Sequence, residues 1–308
     1  MSSAVARSDL LTTRQMAQFV ARGFLRFDEL VPEALNTALM AAIAADEVAG
    51  HPPGTPLADC YEDCAPIRNL LQLPAVRGII QSLVGAEPTF DHHAIHHCPP
   101  RQERAQDTHA DSIIDMRRGA FDIQIMYYPH AVTRDMGGTR YIPGSHFRRI
   151  NEMAIARYQN ILGQQHVVCP AGTLLVMHHG IWHGGGCNRS NESRYMLKIR
   201  LNPTQRQTLL WNTDDLIDAS AGPSAIFAAD AYRHTDRVQT IFERPEKWFP
   251  LDESRLETVN RIRLWRHLVG DASFDSHYWL TRVENIPGCD QSGRERSGCD
   301  QSGRERSG

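Results

Sequence analysis

Thr173–Gly186 reads TLLVMHHGIWHGGG. Its opening run, Thr173-Leu174-Leu175-Val176-Met177, is nearly all apolar, long enough for a buried strand and too short for a helix. It passes directly into His178 and His179, reaches His183 four residues later, and closes on Gly184, Gly185 and Gly186. The same texture extends on both sides, from Pro88 to about Pro203. Thr89–His97, Phe121–Tyr128, Thr139–Ile142, His166–Cys169 and Tyr195–Leu201 are short alternating or apolar runs, each bounded by Pro, Gly or Asn. Strands at this spacing predict an antiparallel sandwich or barrel.

The flanks read differently. Thr12 and Gln15 form a capping box ahead of an amphipathic segment carrying Met16, Phe19 and Val20, which Gly23 ends. Phe24–Phe27 is expected as a short strand. Pro32 is placed to open a helix through Leu35, Leu39 and Ile43, since its missing N–H costs nothing there. Asp46–Pro66 reads as a loop, and Val76, Ile79, Ile80 and Leu83 have helical spacing up to Gly85. Beyond Pro203, helices are expected over Thr213–Ile217, Ser224–Tyr232 and Leu256–Leu268. With no clean linker, residues 1–287 are expected to form one domain: an α-rich lead-in (1–87), a β core (88–203) and a helical C-terminal part (204–287). Cys289–Gly298 is repeated letter for letter as Cys299–Gly308. That polar repeat is too poor in apolar residues to fold, so 288–308 is expected to be a disordered tail.

Composition removes several function classes. The 308 residues are 41% hydrophobic and 22% charged, with 33 Lys and Arg against 36 Asp and Glu. There is no basic excess to hold nucleic acid or an anionic membrane, and no apolar run of bilayer length. Met1–Gln15 lacks the apolar stretch of a secretory signal. The seven cysteines are scattered, as expected of reduced thiols in a cytoplasmic protein. The 15 histidines point toward metal or acid–base chemistry.

Two His-x-Asp motifs occur, His109-Ala110-Asp111 and His234-Thr235-Asp236. In an extended segment, residues two apart face one way, so an imidazole and a carboxylate can converge. The second copy lies outside any strand pattern and is assigned to the surface. The first is followed by Gly137–His146 (GGTRYIPGSH), a strand and a Pro-Gly turn. His183 then supplies a remote nitrogen ligand, and Arg194, eleven residues on, heads the next strand.

Taken together, His109-Ala110-Asp111, GGTRYIPGSH, Trp182-His183-Gly184 and Arg194 resemble the phytanoyl-CoA dioxygenase family of Fe(II)/2-oxoglutarate oxygenases. Leu11–Leu30 resembles that family's N-terminal helix and strand. The resemblance implies a mainly β fold with flanking helices, built on a double-stranded β-helix (jelly-roll, cupin-like) core. It also implies His109, Asp111 and His183 as iron ligands and catalytic centre, with Arg194 on the distal carboxylate of 2-oxoglutarate. The cofactor set would be Fe(II), 2-oxoglutarate and O2, the substrate a small organic molecule, and the products succinate, CO2 and an alcohol. Two imidazoles and one carboxylate on one face of an octahedral metal leave open positions for cosubstrate and oxygen. Because Asp111 is present, hydroxylation is favoured over halogenation. Ala110 and Gly185 depart from the family's usual Gln and small hydroxyl residue.

Other residues allow more than one reading. Gln124 can point inward toward the 2-oxo acid or meet a backbone group. His92, His93, His96 and His97 are split by alternation between two faces, which leaves too few on either for a structural zinc. They suit substrate contact or strand filling. Cys60 and Cys64 read as free thiols and His146 as a structural hydrogen-bonder. Arg140 and Trp182 fit either a cavity wall or packing. His178 and His179 are not both on the face of His183. The alternatives to an oxygenase are a non-catalytic β-helix protein binding metal or metabolite, and a zinc hydrolase using the same three residues. Substrate identity and oligomeric state are not encoded in these motifs.

Overall fold

The computed structural model describes residues 5–111, 120–148, 161–216, 253–276 and 279–280. The Thr12 hydroxyl accepts from the Gln15 backbone N–H, completing the capping box of α1 (Thr13–Arg22), and Gly23 ends that helix in the left-handed region at φ 81°. A side chain at Gly23 would also meet the His146 ring at 2.6 Å, so glycine answers both backbone and packing there. β1 (Phe24–Phe27) follows directly. In α2 (Glu33–Ala44), Pro32 stands at the N-cap rather than at the first helical position. The expected loop at 46–66 gives way at Ala65 to α3 (Ala65–Gln72), with α4 (Pro74–Val84) behind it. Ile67, Leu70 and Leu71 bury the inner face of α3.

The strands are β2 (Thr89–Cys98), β3 (Ile123–Tyr128), β4 (Thr139–Tyr141), β5 (Gln165–His166), β6 (Thr173–His178), β7 (His183–Gly185) and β8 (Arg194–Asn202). They form a five-stranded sheet in the order β1-β6-β3-β8-β2 and a three-stranded sheet in the order β5-β4-β7. Every pairing within them is antiparallel. Alternation divides the large sheet cleanly. Leu25, Ile123, Ile125, Tyr127, Leu174, Val176, Leu197, Ile199 and Leu201 join the core shared with α1–α4. Phe24, Met126, Tyr128, Leu175, Met177 and Met196 face the small sheet. Two antiparallel sheets around a second core, with helices covering the outer face, make the expected β fold with flanking helices.

α5 (Glu253–Val269) corresponds to the helix expected over Leu256–Leu268. Trp265 stacks on Trp211 at 5.5 Å, and Arg261 donates to the carbonyls of Ala21 and Gly144. The segment expected as a helix at 224–232, His234, His277 and the repeat at 288–308 lie outside the described residues. Among the described residues, Cys60, Cys64, Cys98, Cys169 and Cys187 are free thiols, and no helix is long and apolar enough to cross a membrane.

Two buried histidines sit between α1 and the sheet. His146 Nε2 donates to the Val20 carbonyl at 3.0 Å, the structural role expected of it. His178 packs 5.0 Å from His146 and stacks on Phe121. Burial holds His178 at about 3 and His146 well below its ordinary value. The unfolded chain therefore takes up protons near pH 6.5 while the native protein does not. Stability contributed by the neutral rings is complete above that pH and is lost as pH falls toward the native values. The thermal midpoint is expected to drop between about pH 6.5 and 4, before ordinary carboxylates titrate. His178→Phe, which retains the ring stack, should flatten the profile. A midpoint independent of pH in the wild-type protein over this range would contradict the assignment.

Candidate metal centre

His109 and His183 come from segments 74 residues apart, joined by a reciprocal backbone pair. The His109 N–H donates to the His183 carbonyl at 2.9 Å, and the His183 N–H donates back at 2.8 Å. Residues paired this way stand side by side on one face, and their ring centroids are 4.5 Å apart. Two residues along, the Asp111 N–H donates to the His179 carbonyl. This places Asp111 Oδ1 3.4 Å from His109 Nε2 and Oδ2 3.3 Å from His183 Nε2. One donor atom from each of the three residues lies within 4.8 Å of the others, the only such His/Cys/Asp/Glu group among the described residues.

The other nitrogen of each ring is already committed. His109 Nδ1 meets the Asp107 carbonyl and His183 Nδ1 the Ile181 carbonyl, each at 2.9 Å. A carbonyl only accepts, so both protons of the neutral rings sit on Nδ1 and both Nε2 lone pairs face Asp111. Burial pushes the His183 imidazole pKa down, against the pull of Asp111. For His109 burial opposes the shift, but Asp111 and the Asp107 carbonyl together hold it above the ordinary value. Burial would likewise raise Asp111, yet contacts from His109, His179 and His183 hold its carboxyl far below the usual range.

Behind Asp111 lies a buried polar layer. His179 Nε2 is 3.5 Å from Asp111 Oδ2, and its Nδ1 is 3.1 Å from Asp122. Arg200 grips Asp122 at 2.6 Å. His178 points the other way, so only one of the two adjacent histidines borders the site. Lys198 Nζ lies 2.9 Å from Asp111 Oδ2. Alternation along β8 from Arg194 places Lys198 on the same face, a signal present in the sequence although Lys198 was not among the expected site residues.

Arg194 is 1% exposed. Its Nε donates to the Met136 carbonyl at 3.1 Å and a terminal nitrogen to Cys98 Sγ at 2.7 Å. Among the described residues no carboxylate pairs with it. It lines a cavity of about 190 Å³ together with His96, His109, His183, Thr139 and Lys198. Gln124 is fully buried and turned inward, its Nε2 3.5 Å from His183 Nε2 and its Oε1 without a partner among the described residues. The remaining β2 histidines disperse: His93 meets the Tyr61 hydroxyl, His97 stacks on Tyr195, and His92 pairs with Asp91. Arg140 and Arg189 line an adjoining outer cleft, which shares Gln102, Arg104 and Gly186 with that cavity, and Trp182 packs with Ile142.

The phytanoyl-CoA dioxygenase (PhyH) sequence profile matches residues 22–196. The chain belongs to this family of Fe(II)/2-oxoglutarate-dependent oxygenases. Among solved structures it is similar to the non-haem α-ketoglutarate-dependent carbocyclase SnoK from nogalamycin biosynthesis, at 16% identity and a TM-score of 0.51, over 65% of this chain and 88% of SnoK. It is also similar to HygX from Streptomyces hygroscopicus with nickel and 2-oxoglutarate bound, at 13% identity and a TM-score of 0.51, over 63% of this chain and 87% of HygX. Both likenesses show the double-stranded β-helix fold. No curated protein matches the sequence.

Proposed function

We propose that His109, Asp111 and His183 hold ferrous iron, that Arg194 anchors the distal carboxylate of 2-oxoglutarate, and that the protein hydroxylates an unactivated C–H bond of a small organic substrate. The balanced reaction consumes 2-oxoglutarate, O2 and R–H and yields succinate, CO2 and R–OH. The observation carrying this reading is the convergence of two Nε2 lone pairs and one carboxylate, with both Nδ1 protons already spoken for. That donor set fits a facial two-histidine, one-carboxylate iron site. Bound ferrous iron supplies the oxygen activation that couples decarboxylation to C–H oxidation.

The chain's own residues do the rest. Asp111 contributes negative charge, and the Asp107 and Ile181 carbonyls fix the ring tautomers and orientations. Arg194 presents a planar, permanently charged fork that suits a carboxylate. Its burial excludes water from that ion pair and so strengthens it. Gln124 offers a carboxamide beside His183 for the oxo-acid end. HygX, of the same fold, has been crystallised with 2-oxoglutarate.

The test is an oxygen electrode with purified protein, ferrous iron and 2-oxoglutarate, followed by succinate measurement. Slow oxygen uptake and succinate formation, dependent on both additions, are expected even without the true substrate. Metal uptake without decarboxylation would identify a non-catalytic binder. Zinc-supported hydrolysis without oxygen would identify a hydrolase.

A further inference from the structure

Lys198 and a metal ion would share one carboxylate, and the structure divides its two oxygens between them. β8 is paired on both sides at this point, with Lys198 opposite Ala94 of β2 and Met126 of β3. From that central strand the 7% exposed lysine donates to Asp111 Oδ2 at 2.9 Å. His179 Nε2 lies 3.5 Å from the same oxygen. Oδ1 instead faces His109 Nε2 at 3.4 Å. That nitrogen presents a lone pair, since the ring proton sits on Nδ1 against the Asp107 carbonyl. With this tautomer no hydrogen-bond donor among the described residues reaches Oδ1.

The division has a chemical consequence because a carboxylate can bind a metal through one oxygen or both. Oδ2 also faces a ligand lone pair, His183 Nε2 at 3.3 Å, so both oxygens of Asp111 border the candidate metal position. An octahedral ion accommodates two imidazoles, one carboxylate oxygen and a chelating 2-oxo acid, and keeps one position for O2. A second oxygen from Asp111 would fill that position. A charge-assisted bond from a largely buried ammonium is the contact best suited to hold Oδ2 back.

We propose, on the basis of the oxygenase reading above, that Lys198 is a positioning residue. By holding Oδ2 it restricts Asp111 to ligation through Oδ1 and keeps one metal position open for O2. It acts through Asp111 and needs no contact of its own with metal or oxygen. Alternation along β8 puts Lys198 on the same face as Arg194, in the same cavity. A single strand then presents both the cosubstrate anchor and the residue that keeps the oxygen position free.

The test uses intact protein loaded anaerobically with ferrous iron and 2-oxoglutarate, and titrates it with nitric oxide, a stand-in for O2, by electron paramagnetic resonance. Lys198→Met should bind nitric oxide about tenfold or more weakly than the wild-type protein. It should bind ferrous iron at least as tightly, because the second carboxylate oxygen is released to the metal. Loss of a merely structural residue would weaken both. Lys198→Arg, which can donate to Oδ2, should recover nitric oxide affinity to within about threefold of wild type. A measurement on the wild-type protein depends on no variant folding: the infrared difference on adding ferrous iron. It should show a carboxylate whose symmetric and antisymmetric stretches move apart, as one-oxygen ligation requires. Unchanged nitric oxide affinity or weaker iron binding in Lys198→Met overturns the proposal, and so do wild-type stretches drawn together. No visible charge-transfer band from the wild-type complex with iron and 2-oxoglutarate would sink the oxygenase reading itself, a different failure.

Discussion

Asp111→Ala is expected to abolish succinate formation from 2-oxoglutarate. Asp111 is the single anionic member of the candidate triad, and both imidazole Nε2 atoms face it. Even the outer partners of metal ligands change affinity or activity by roughly 10- to 100-fold when removed, so deleting a ligand should exceed that range. The substitution has a second consequence. Lys198 loses its carboxylate partner and is left as a largely buried cation. Breaking a fully buried ion pair costs about 3–5 kcal/mol. Here the Asp111 side chain retains 21% exposure, so solvent screening reduces the expected loss to about 1–3 kcal/mol. Folding and catalysis can therefore be separated: Asp111→Ala/Lys198→Met should regain thermal stability and remain inactive. Asp111→Asn, similar in shape and uncharged, should also be inactive. Succinate production at the wild-type rate in purified Asp111→Ala, measured by mass spectrometry, would place the metal elsewhere.

Local signals were readable from sequence because their partners are close in the chain. The Thr12–Gln15 capping box, the Gly23 stop and the β8 alternation each need only a few residues. α3 escaped because Pro66, which reads as a loop residue, actually opens a helix at its first turn. β7 escaped because Gly184 and Gly185 carry no strand propensity. They are held instead by pairing with Arg140 and Thr139, a tertiary effect. The four candidate site residues, His109, Asp111, His183 and Arg194, were named through the motif resemblance, and their roles here are those proposed above. Alternation alone supports His109 with Asp111, but nothing local predicts that His109 pairs with His183. The buried layer of His179, Asp122 and Arg200 illustrates the same limit. Adjacent His178 and His179 must diverge, yet which one borders Asp111 depends on where β6 ends against Asp122, whose carbonyl accepts from the His179 N–H at 3.1 Å.

Arg194→Lys is expected to raise the 2-oxoglutarate concentration needed for half-maximal turnover by roughly 10- to 100-fold, the worth of one lost charge-assisted hydrogen bond at about 1.5–3 kcal/mol. The guanidinium is held by the Met136 carbonyl and Cys98 Sγ, so its fork is oriented before any ligand arrives. A lysine ammonium retains the charge but gives up the parallel pair of N–H donors and that orientation. If Arg194 serves only to bind the cosubstrate, the change should appear in the half-saturation value, with the saturated rate little altered. Arg194→Met, which leaves the incoming carboxylate unmatched in a buried site, should have the larger effect. The measurement is initial-rate succinate formation over a 2-oxoglutarate titration. An unchanged half-saturation value in Arg194→Lys would move the anchor to another cation. Arg189 would then be the first to test, although it is exposed and faces the outer cleft rather than the cavity of His109 and His183.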